Sequence, residues 1–240
     1  MGTNHTRRLR RPRWRSWLLL ARVSNLPTVW TNVIAGAVLS GAAPDWRALA
    51  VLAFAVSLLY TAGMVLNDAF DHAIDARARP ERPIPTGDVS VFAASTAGGV
   101  LLGAGLLLLV WSGPRSAAFV WGLALVAAIL YYDYRHKRDP LGPLVMGLCR
   151  GLVYCVAAAA AAAVSTLVLA GASAMAIYVM GLTVVARRTA GGRGHLIPRM
   201  IAGISLVDAV VVGLVTPWLA PWVALGFFLT LALQRVVPGD

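Results

Sequence analysis

Long uncharged blocks of apolar residues constrain this chain more than any other feature. Residues 49–66 read LAVLAFAVSLLYTAGMVL without a charged side chain, and similar blocks recur along the sequence. Each is close to the ~20 residues with which an α-helix crosses a hydrocarbon core of ~30 Å. Hydrophobic residues make up 59% of the chain and charged residues 13%, with a mean hydropathy of +0.73. This composition excludes a soluble globular domain and predicts an all-α polytopic membrane protein.

Eight of these blocks are predicted to be membrane-spanning helices of one bundle. Their approximate limits are 24–41, 48–66, 89–111, 116–132, 143–163, 166–186, 199–216 and 218–236. The junction at 163–166 has no polar turn, so one long bent helix is the alternative there. We expect residues 1–16 to form a basic cytoplasmic segment and residues 17–240 to form a single transmembrane domain.

The basic residues predict the orientation of the bundle. With the N-terminus in the cytoplasm, eighteen Lys and Arg residues fall on the cytoplasmic side and only Arg47 and Arg115 on the other. This bias is typical of membrane proteins, and it accounts for the net charge of +11 without a nucleic-acid partner. Both termini are therefore predicted to be cytoplasmic, with the chain in the inner (plasma) membrane.

Acidic residues gather on the same side, which the charge bias does not require. The second predicted span ends in Asn67-Asp68-x-x-Asp71-x-x-x-Asp75, a spacing that places these side chains along one stripe of a helix. The carboxylates repel one another unless a cation lies between them. Few, hard oxygen ligands near basic groups suit Mg²⁺ shared with a phosphate-bearing substrate. The alternative is a charged helix end that is simply solvated.

An arginine- and proline-rich segment follows the acidic stripe. Residues 77–87 read RARPERPIPTG. The pattern N-D-x-x-D-x-x-x-D followed by R-P-E-R-P-I-P-x-G resembles the first aspartate motif of UbiA-type intramembrane prenyltransferases. The segments LARVSNLPTVWTNVIAGAVL, in the first predicted span, and YYDYRHKRDPLGPLVMGLCRGLVY, after the fourth, also resemble that family.

The resemblance implies a helical bundle in which Mg²⁺ holds an isoprenyl diphosphate and the prenyl group is transferred to an acceptor, often an aromatic one. By this resemblance the metal ligands would be Asn67, Asp68, Asp71 and Asp75, and the catalytic residues Asp68, Asp71 and Lys137. Contacts to the diphosphate are expected from Asn67, Arg22, Arg82, Lys137, Arg187, Arg188 and Arg150. Acceptor-side residues are expected to be Asn25, Asp133 and Tyr134.

The chain departs from the family in its second half. The family consists of two similar halves, and residues 60–63 (YTAG) are echoed here by residues 178–181 (YVMG). In that register Asp68 corresponds to Ala186, and no acid follows in VVARRTAGGRG. The family's second aspartate motif is therefore absent, and we expect a second metal site to be missing. The family also usually has nine spans, one more than this sequence shows.

Five basic and acidic residues near the predicted site each allow two interpretations. Arg187, Arg188 and Arg193 either neutralise the diphosphate, which guanidinium groups bind well, or represent ordinary cytoplasmic charge. Asp133 and Lys137 share a helix face if the fourth span continues. Asp133 is then a metal or acceptor ligand, and the alternative is a solvated loop pair.

Arg150 is unusual because it lies about eight residues inside the fifth predicted span. Charged side chains within a membrane are costly and are usually paired or functional. A structural pair with Asp208, the only deep acid in the later spans, is one interpretation. Contact with substrate is the other.

Two functions fit the whole sequence. The first is a Mg²⁺-dependent prenyltransferase with a cytoplasmic active face. The second is a catalytically impaired relative that binds or presents prenyl lipids within a biosynthetic assembly, which the missing second motif favours. A CDP-alcohol transferase is disfavoured because no D-G-x-x-A-R segment occurs. A transporter is disfavoured because the acids cluster at one surface and not at the midplane.

Overall fold

The described part of the chain is entirely helical, as the apolar blocks predict. The computed structural model describes residues 12–43, 45–111, 116–135, 139–189 and 196–239. Within them the helices are α1 (Arg13–Ala21), α2 (Leu26–Leu39), α3 (Trp46–Phe70), α4 (His72–Ala78), α5 (Val91–Trp111), α6 (Ser116–Arg135), α7 (Gly142–Ala161), α8 (Thr166–Arg188), α9 (Leu196–Gly213) and α10 (Ala220–Gln234). Short 3₁₀ turns at Val23–Asn25 and Pro217–Leu219 precede α2 and α10.

Seven helices of the described residues are long and apolar enough to cross a membrane. They correspond to the second to eighth predicted spans. The first predicted span, 24–41, corresponds to the apolar helical segment Val23–Leu39, which consists of a 3₁₀ turn and α2 and is shorter than the other seven. The preceding chain turns away at Arg22, which adopts the left-handed conformation (φ 44°, ψ 48°) and ends α1. The domain boundary that we expected after residue 16 falls inside α1.

The junction between α7 and α8 is a break and not a bend. Helix α7 ends at Ala161, and α8 begins at Thr166. The side chain of Ser165 accepts a hydrogen bond from the backbone N–H of Val168 at 3.3 Å, which satisfies one of the free donors at the start of a helix. The serine cap therefore begins a new helix although the sequence has no polar turn here, and α7 and α8 are two separate spans.

Helices α3 and α7 are the most deeply buried of the seven spans, and α7 packs against α2, α6 and α8. Small residues permit the close approach of α7 to α8, because a Cβ atom on Gly151 would lie 3.1 Å from the backbone oxygen of Ala172. Glycine and alanine at helix contacts are typical of membrane bundles. Large apolar side chains such as Phe92, Trp111 and Leu214 remain at least 80% exposed, as expected of a surface that faces lipid.

The glycine contact between α7 and α8 leads to a stability prediction. We expect Gly147→Ala to lower the melting temperature in detergent, because its Cβ would overlap the backbone of Ala176 and overpacking costs about 1–3 kcal/mol. The matched control is Gly103→Ala on α5, where a Cβ meets no atom within 4 Å. Equal melting temperatures for the two variants in scanning fluorimetry would contradict the close packing.

Candidate active site

One end of the bundle encloses a cavity of about 350 Å³. Helices α2, α3, α6, α7, α8 and α9 all contribute to its walls. The walls are apolar, and include Val29, Val56, Leu125, Ile129, Val153 and Ile201. Charged and amide side chains surround the mouth, namely Arg22, Asn67, Asp71, Arg79, Arg82 and Asp133. The cavity therefore combines an apolar chamber with a polar opening.

The acidic stripe forms because the helical path continues through the end of α3. The backbone N–H of Asp71 donates to the carbonyl of Asn67 at 2.9 Å, and that of Asp75 donates to the carbonyl of Asp71 at the same distance. Asp71 is thus the junction between α3 and α4, with nearly helical dihedrals (φ −83°, ψ −3°). Asn67, Asp68, Asp71 and Asp75 are all buried, between 2% and 7% exposed.

Arg82 lies between two acids of this stripe. Its Nη1 donates to Oδ1 of Asp68 at 2.9 Å and to Oδ2 of Asp75 at 2.8 Å. Arg22 adds a second cation, with Nη2 at 3.2 Å from the same Oδ1 of Asp68. The sequence interpretation required a cation between these carboxylates, and the structure supplies two guanidinium groups.

The segment after α4 places Arg82 through its own turns. The carbonyl of Arg82 accepts hydrogen bonds from the backbone N–H and the hydroxyl of Thr86, both at 3.0 Å. Gly87 then takes a positive φ of 77°, a conformation that glycine adopts without steric cost. The proline-rich motif therefore folds back on itself and places the guanidinium of Arg82 beside Asp68 and Asp75.

Arg22 reaches the site through an unusual backbone. Among the described residues it is the only non-glycine with positive φ. Non-glycine residues in this region cost of order 1–3 kcal/mol and cluster at functional sites. The left-handed turn separates α1 from α2 and lets the side chain lie over Met64 and Asp68, with Nη1 at 3.3 Å from Sδ of Met64.

These ion pairs divide the predicted metal ligands into two groups. Asp68 and Asp75 bind arginine and do not line the cavity, whereas Asn67 and Asp71 do. Asp133, from the end of α6, joins the second group, and Nδ2 of Asn67 donates to its Oδ1 at 3.2 Å. In the described residues no three His, Cys, Asp or Glu side chains are grouped closely enough to hold a metal ion. The stripe alone is therefore not a preformed metal cage.

Arg150 and Asp208 are connected through Asn32 and do not pair directly. Nη1 of Arg150 donates to Oδ1 of Asn32 at 2.9 Å, and Nδ2 of Asn32 donates to both carboxylate oxygens of Asp208, at 2.9 and 2.8 Å. The hydroxyl of Tyr154 donates to the same carboxylate. The guanidinium also lies over the ring of Tyr60, 5.4 Å from its centroid. Arg150 lines the cavity, so the direct structural pair that we considered is replaced by a network that holds Arg150 against the chamber.

The network lies deeper than the mouth. Tyr60 precedes Asn67 by seven residues of α3, about 10 Å along a helix that rises 1.5 Å per residue. Arg150, stacked on Tyr60, is therefore about two turns below the level of Asn67. The cavity therefore has arginines and acids at its mouth and a second, separate arginine further inside.

Three predicted residues lie away from the cavity. Tyr134 is 74% exposed. Arg187 and Arg188 are also exposed and do not line the cavity; Nη1 of Arg187 lies 3.4 Å from the carbonyl of Asp139. They follow the last inward residue of α8, Ala186, on the outer side of the helix. Lys137 and Arg193 lie outside the described residues.

Asp139 belongs to the loop and not to the site. Its carboxylate accepts hydrogen bonds from the hydroxyl of Tyr131 at 2.7 Å and from the backbone N–H of Leu141 at 2.8 Å. These bonds, led by that from Tyr131, lower the pKa of Asp139 below its ordinary value. The carboxylate therefore stays ionised at the start of α7 and anchors the connection from α6.

Asn25 meets the far end of the chain. Its Nδ2 donates to the carbonyl of Gly239 at 2.8 Å, and Nε2 of Gln234 donates to its Oδ1 at 3.2 Å. Both Asn25 and Gly239 line the cavity. Sequence reasoning identified Asn25 but not the C-terminal segment beside it, since no local pattern links positions so distant in the chain.

Helices α3 and α8 present similar inward faces, but in a register one residue away from the predicted one. The cavity-lining positions of α8 repeat the spacing of those on α3, with Val179, Leu182, Thr183 and Ala186 corresponding to Tyr60, Gly63, Met64 and Asn67. Ala186 therefore corresponds to Asn67 and not to Asp68, and Tyr178 donates instead to the carbonyl of Met200. No acid occurs between 186 and 199 in either register.

Residues 28–237 match the UbiA prenyltransferase family. The chain belongs to this family. The resemblance drawn from the acidic motif is thereby confirmed, together with the all-helical membrane fold.

Relatives with curated names include a digeranylgeranylglyceryl phosphate synthase of Ignicoccus hospitalis, 37% identical over 118 residues, which are 49% of this chain and 37% of the relative. A 4-hydroxybenzoate octaprenyltransferase of Polaromonas is 30% identical over 136 residues, or 55% of this chain and 43% of the relative. The matched segments thus span less than half the length of these two relatives.

Solved structures agree on the fold. A UbiA homologue from Archaeoglobus fulgidus bound to DMAPP and Mg²⁺ has a TM-score of 0.61 at 14% identity, covering 94% of this chain and 89% of the other. A structure of digeranylgeranylglyceryl phosphate synthase has a TM-score of 0.63 at 20% identity, covering 94% and 88%. Sequence identities this low support the shared architecture alone.

The position of Arg82 leads to a prediction about stability. We expect Arg82→Gln to destabilise the protein by about 3–5 kcal/mol, because it leaves Asp68 and Asp75 buried beside a neutral side chain. Adding Asp75→Asn should recover part of this loss. The control is Arg77→Gln, an exposed arginine of α4, which should change stability by less than about 0.5 kcal/mol. If unfolding in detergent gives the same loss for Arg77→Gln and Arg82→Gln, the buried ion pairs do not hold the site together.

Proposed function

We propose that this protein transfers a prenyl group from an isoprenyl diphosphate to an aromatic or lipid acceptor, with Mg²⁺, at the cytoplasmic side of the inner membrane. The observation that carries this proposal is the apolar cavity of about 350 Å³ whose mouth is lined by arginines, carboxylates and an amide. An isoprenyl diphosphate has the same division, with an apolar chain and a strongly anionic head.

The arginines of the mouth suit the leaving group. Breaking the bond between the prenyl carbon and the diphosphate oxygen develops negative charge on the diphosphate, and preorganised cations stabilise such charge most effectively. Arg22 and Arg82 are fixed by their bonds to Asp68, so they need no reorganisation when the diphosphate departs. Arg79 lines the same mouth.

The oxygen donors of the mouth suit Mg²⁺. Asn67, Asp71 and Asp133 line the cavity, and Oδ2 of Asp133 is a buried oxygen without a hydrogen-bond partner among the described residues. Mg²⁺ is usually bound by one or two carboxylates together with substrate phosphates, so the absence of a three-acid cage is compatible with it. When bound, Mg²⁺ would offset the charge of the diphosphate oxygens. Asn67 and Asp71 would hold it, with Asp68 and Asp75 acting through the arginines.

The chamber protects the electron-poor prenyl group from water. Apolar walls exclude water from a reactive carbocation-like centre. Arg150 lies about two turns deeper than Asn67, at a depth that suits a polar group of the acceptor better than the diphosphate. Its fixed position over Tyr60 would orient that group.

Loss of Asp71 tests this function. We expect Asp71→Asn to reduce prenyl transfer by at least about 100-fold, since it removes a charged ligand that acts on the leaving group. The assay incubates purified protein with Mg²⁺, radiolabelled prenyl diphosphates and a lipid extract. The control is Asp45→Asn at the opposite end of α3, where asparagine caps the helix as well as aspartate. If the wild-type protein neither binds nor consumes any prenyl diphosphate, the proposed function is wrong.

A catalytically impaired relative that binds or presents prenyl lipids is the second candidate. Its support is Ala186, which lines the cavity on α8 where the first half has Asn67, and the absence of acids as far as residue 199. This candidate predicts that wild-type protein binds a prenyl diphosphate without forming product. Asp71→Asn would then weaken binding and change no chemistry.

The orientation in the membrane has its own test. Because basic residues lie at the ends of the helices that meet at the mouth, we expect a C-terminal green fluorescent protein fusion to fluoresce in a bacterial host and an alkaline phosphatase fusion to be inactive. Fluorescence depends on folding in the cytoplasm, whereas the phosphatase needs the periplasm. The reverse pattern would place the mouth on the other side.

A further inference from the structure

Asp133 is a buried acid, and only one of its two carboxylate oxygens has a hydrogen-bond partner among the described residues. It is 4% exposed and lines the cavity. Oδ1 accepts a hydrogen bond from Asn67 at 3.2 Å, whereas Oδ2 is buried without a hydrogen-bond partner among the described residues. Burying a polar oxygen without a partner costs free energy, and native proteins seldom leave one without a bound ion, water or ligand to explain it.

The described arginines of the mouth do not fill this position. Within the described part of the chain, the ion pairs of Arg22 and Arg82 go to Asp68 and Asp75. Asp133 is in none of them. The oxygen without a partner therefore belongs to a residue that lines the cavity, while Arg22 and Arg82 are bound to other acids.

Asp133 brings an acid to the mouth from α6, whereas the end of α8 brings none. The second half offers no carboxylate at the mouth, because Ala186 lines the cavity at the position that corresponds to Asn67. Helix α6 instead brings Asp133 to within hydrogen-bond distance of Asn67, the residue that begins the acidic stripe. The carboxylate of Asp133 thus accepts a hydrogen bond from the amide of Asn67, and Asp71 lines the same cavity.

We infer that Asp133 is a ligand of the divalent cation that carries the diphosphate, in place of the acids missing from the second half. The inference rests on the proposed function and assigns the metal to Asn67, Asp71 and Asp133. Two carboxylates, an amide oxygen and substrate oxygens form the kind of set that Mg²⁺ favours. The four-residue ligand set expected from the sequence, which included Asp68 and Asp75, is changed accordingly.

The test measures binding of Mn²⁺, as a paramagnetic substitute for Mg²⁺, to the full chain in detergent with inorganic pyrophosphate. Electron paramagnetic resonance reports free Mn²⁺ directly and needs no turnover. We expect Asp133→Asn to raise the dissociation constant at least about 10-fold, as the loss of one charged ligand implies. Asp139→Asn, an acid of the adjoining loop that does not line the cavity, should leave it unchanged.

Stability without metal separates a ligand from a structural acid. If Asp133 serves the cation, removing its buried charge should leave the melting temperature without divalent ions equal to or above that of the wild type. Mg²⁺ with pyrophosphate should then raise the melting temperature of the wild type more than that of Asp133→Asn, because binding to the folded state stabilises it.

The outcomes that overturn the inference are distinct from those that overturn the function. An unchanged Mn²⁺ dissociation constant in Asp133→Asn overturns the inference while prenyl transfer stands. A variant that fails to fold, or melts well below the wild type without metal, shows a structural acid and also overturns it. Failure of the wild type to bind Mn²⁺ with pyrophosphate overturns both proposals.

Discussion

The ion pairs of Arg82 with Asp68 and Asp75 are the interaction on which the rest of the site depends. They bury three charges at one end of a largely apolar bundle, where each charge alone would be costly. They also join the end of α3, the short helix α4 and the proline-rich segment in one unit, to which Arg22 connects α1. Together with the Arg22–Asp68 pair, these bonds hold two guanidinium groups at the opening of the cavity.

This arrangement gives the acidic motif two separate tasks. Asp68 and Asp75 fix the arginines, while Asn67 and Asp71 face the chamber and are joined there by Asp133. The mouth thus presents both cations and oxygen ligands to one anionic head. Deeper in the chamber, Asn32 donates a hydrogen bond to Asp208 and accepts one from Arg150, and so links the two residues. Polar groups in the bundle are therefore organised in two layers, with apolar walls between and around them.

Local sequence was sufficient for the helices and for the acidic stripe. Hydropathy located the helices, and the spacing of Asn67, Asp71 and Asp75 placed these three residues on one helix face. Helix formation and this spacing depend only on residues that are close in the chain. Local sequence was insufficient where a short segment or a residue distant in the chain determines the local structure or the contact. Arg22 leaves the helical path at the end of α1, and Asn32 lies between Arg150 and Asp208, for which the sequence left a direct pair as one of two interpretations.

The sequence also did not determine the register of α8 relative to α3, or the direction in which the last side chains of α8 point. The YxxG repeat suggested that Ala186 replaces Asp68, but the inward face of α8 aligns it with Asn67. The same rotation directs Arg187 and Arg188 outward, although their position after a span gave them the appearance of diphosphate ligands. A rotation of one residue, about 100° on a helix, separates a cavity residue from a surface residue. Tertiary packing sets that rotation.

The most direct test is a structure of the protein in lipid nanodiscs with Mg²⁺ and geranyl S-thiolodiphosphate, which resists cleavage. We expect density for the diphosphate at the mouth, between Arg22 and Arg82 on one side and Asn67, Asp71 and Asp133 on the other. The geranyl chain should extend into the apolar chamber. A diphosphate bound outside this cavity, or a chamber that stays closed to the prenyl chain, would contradict it.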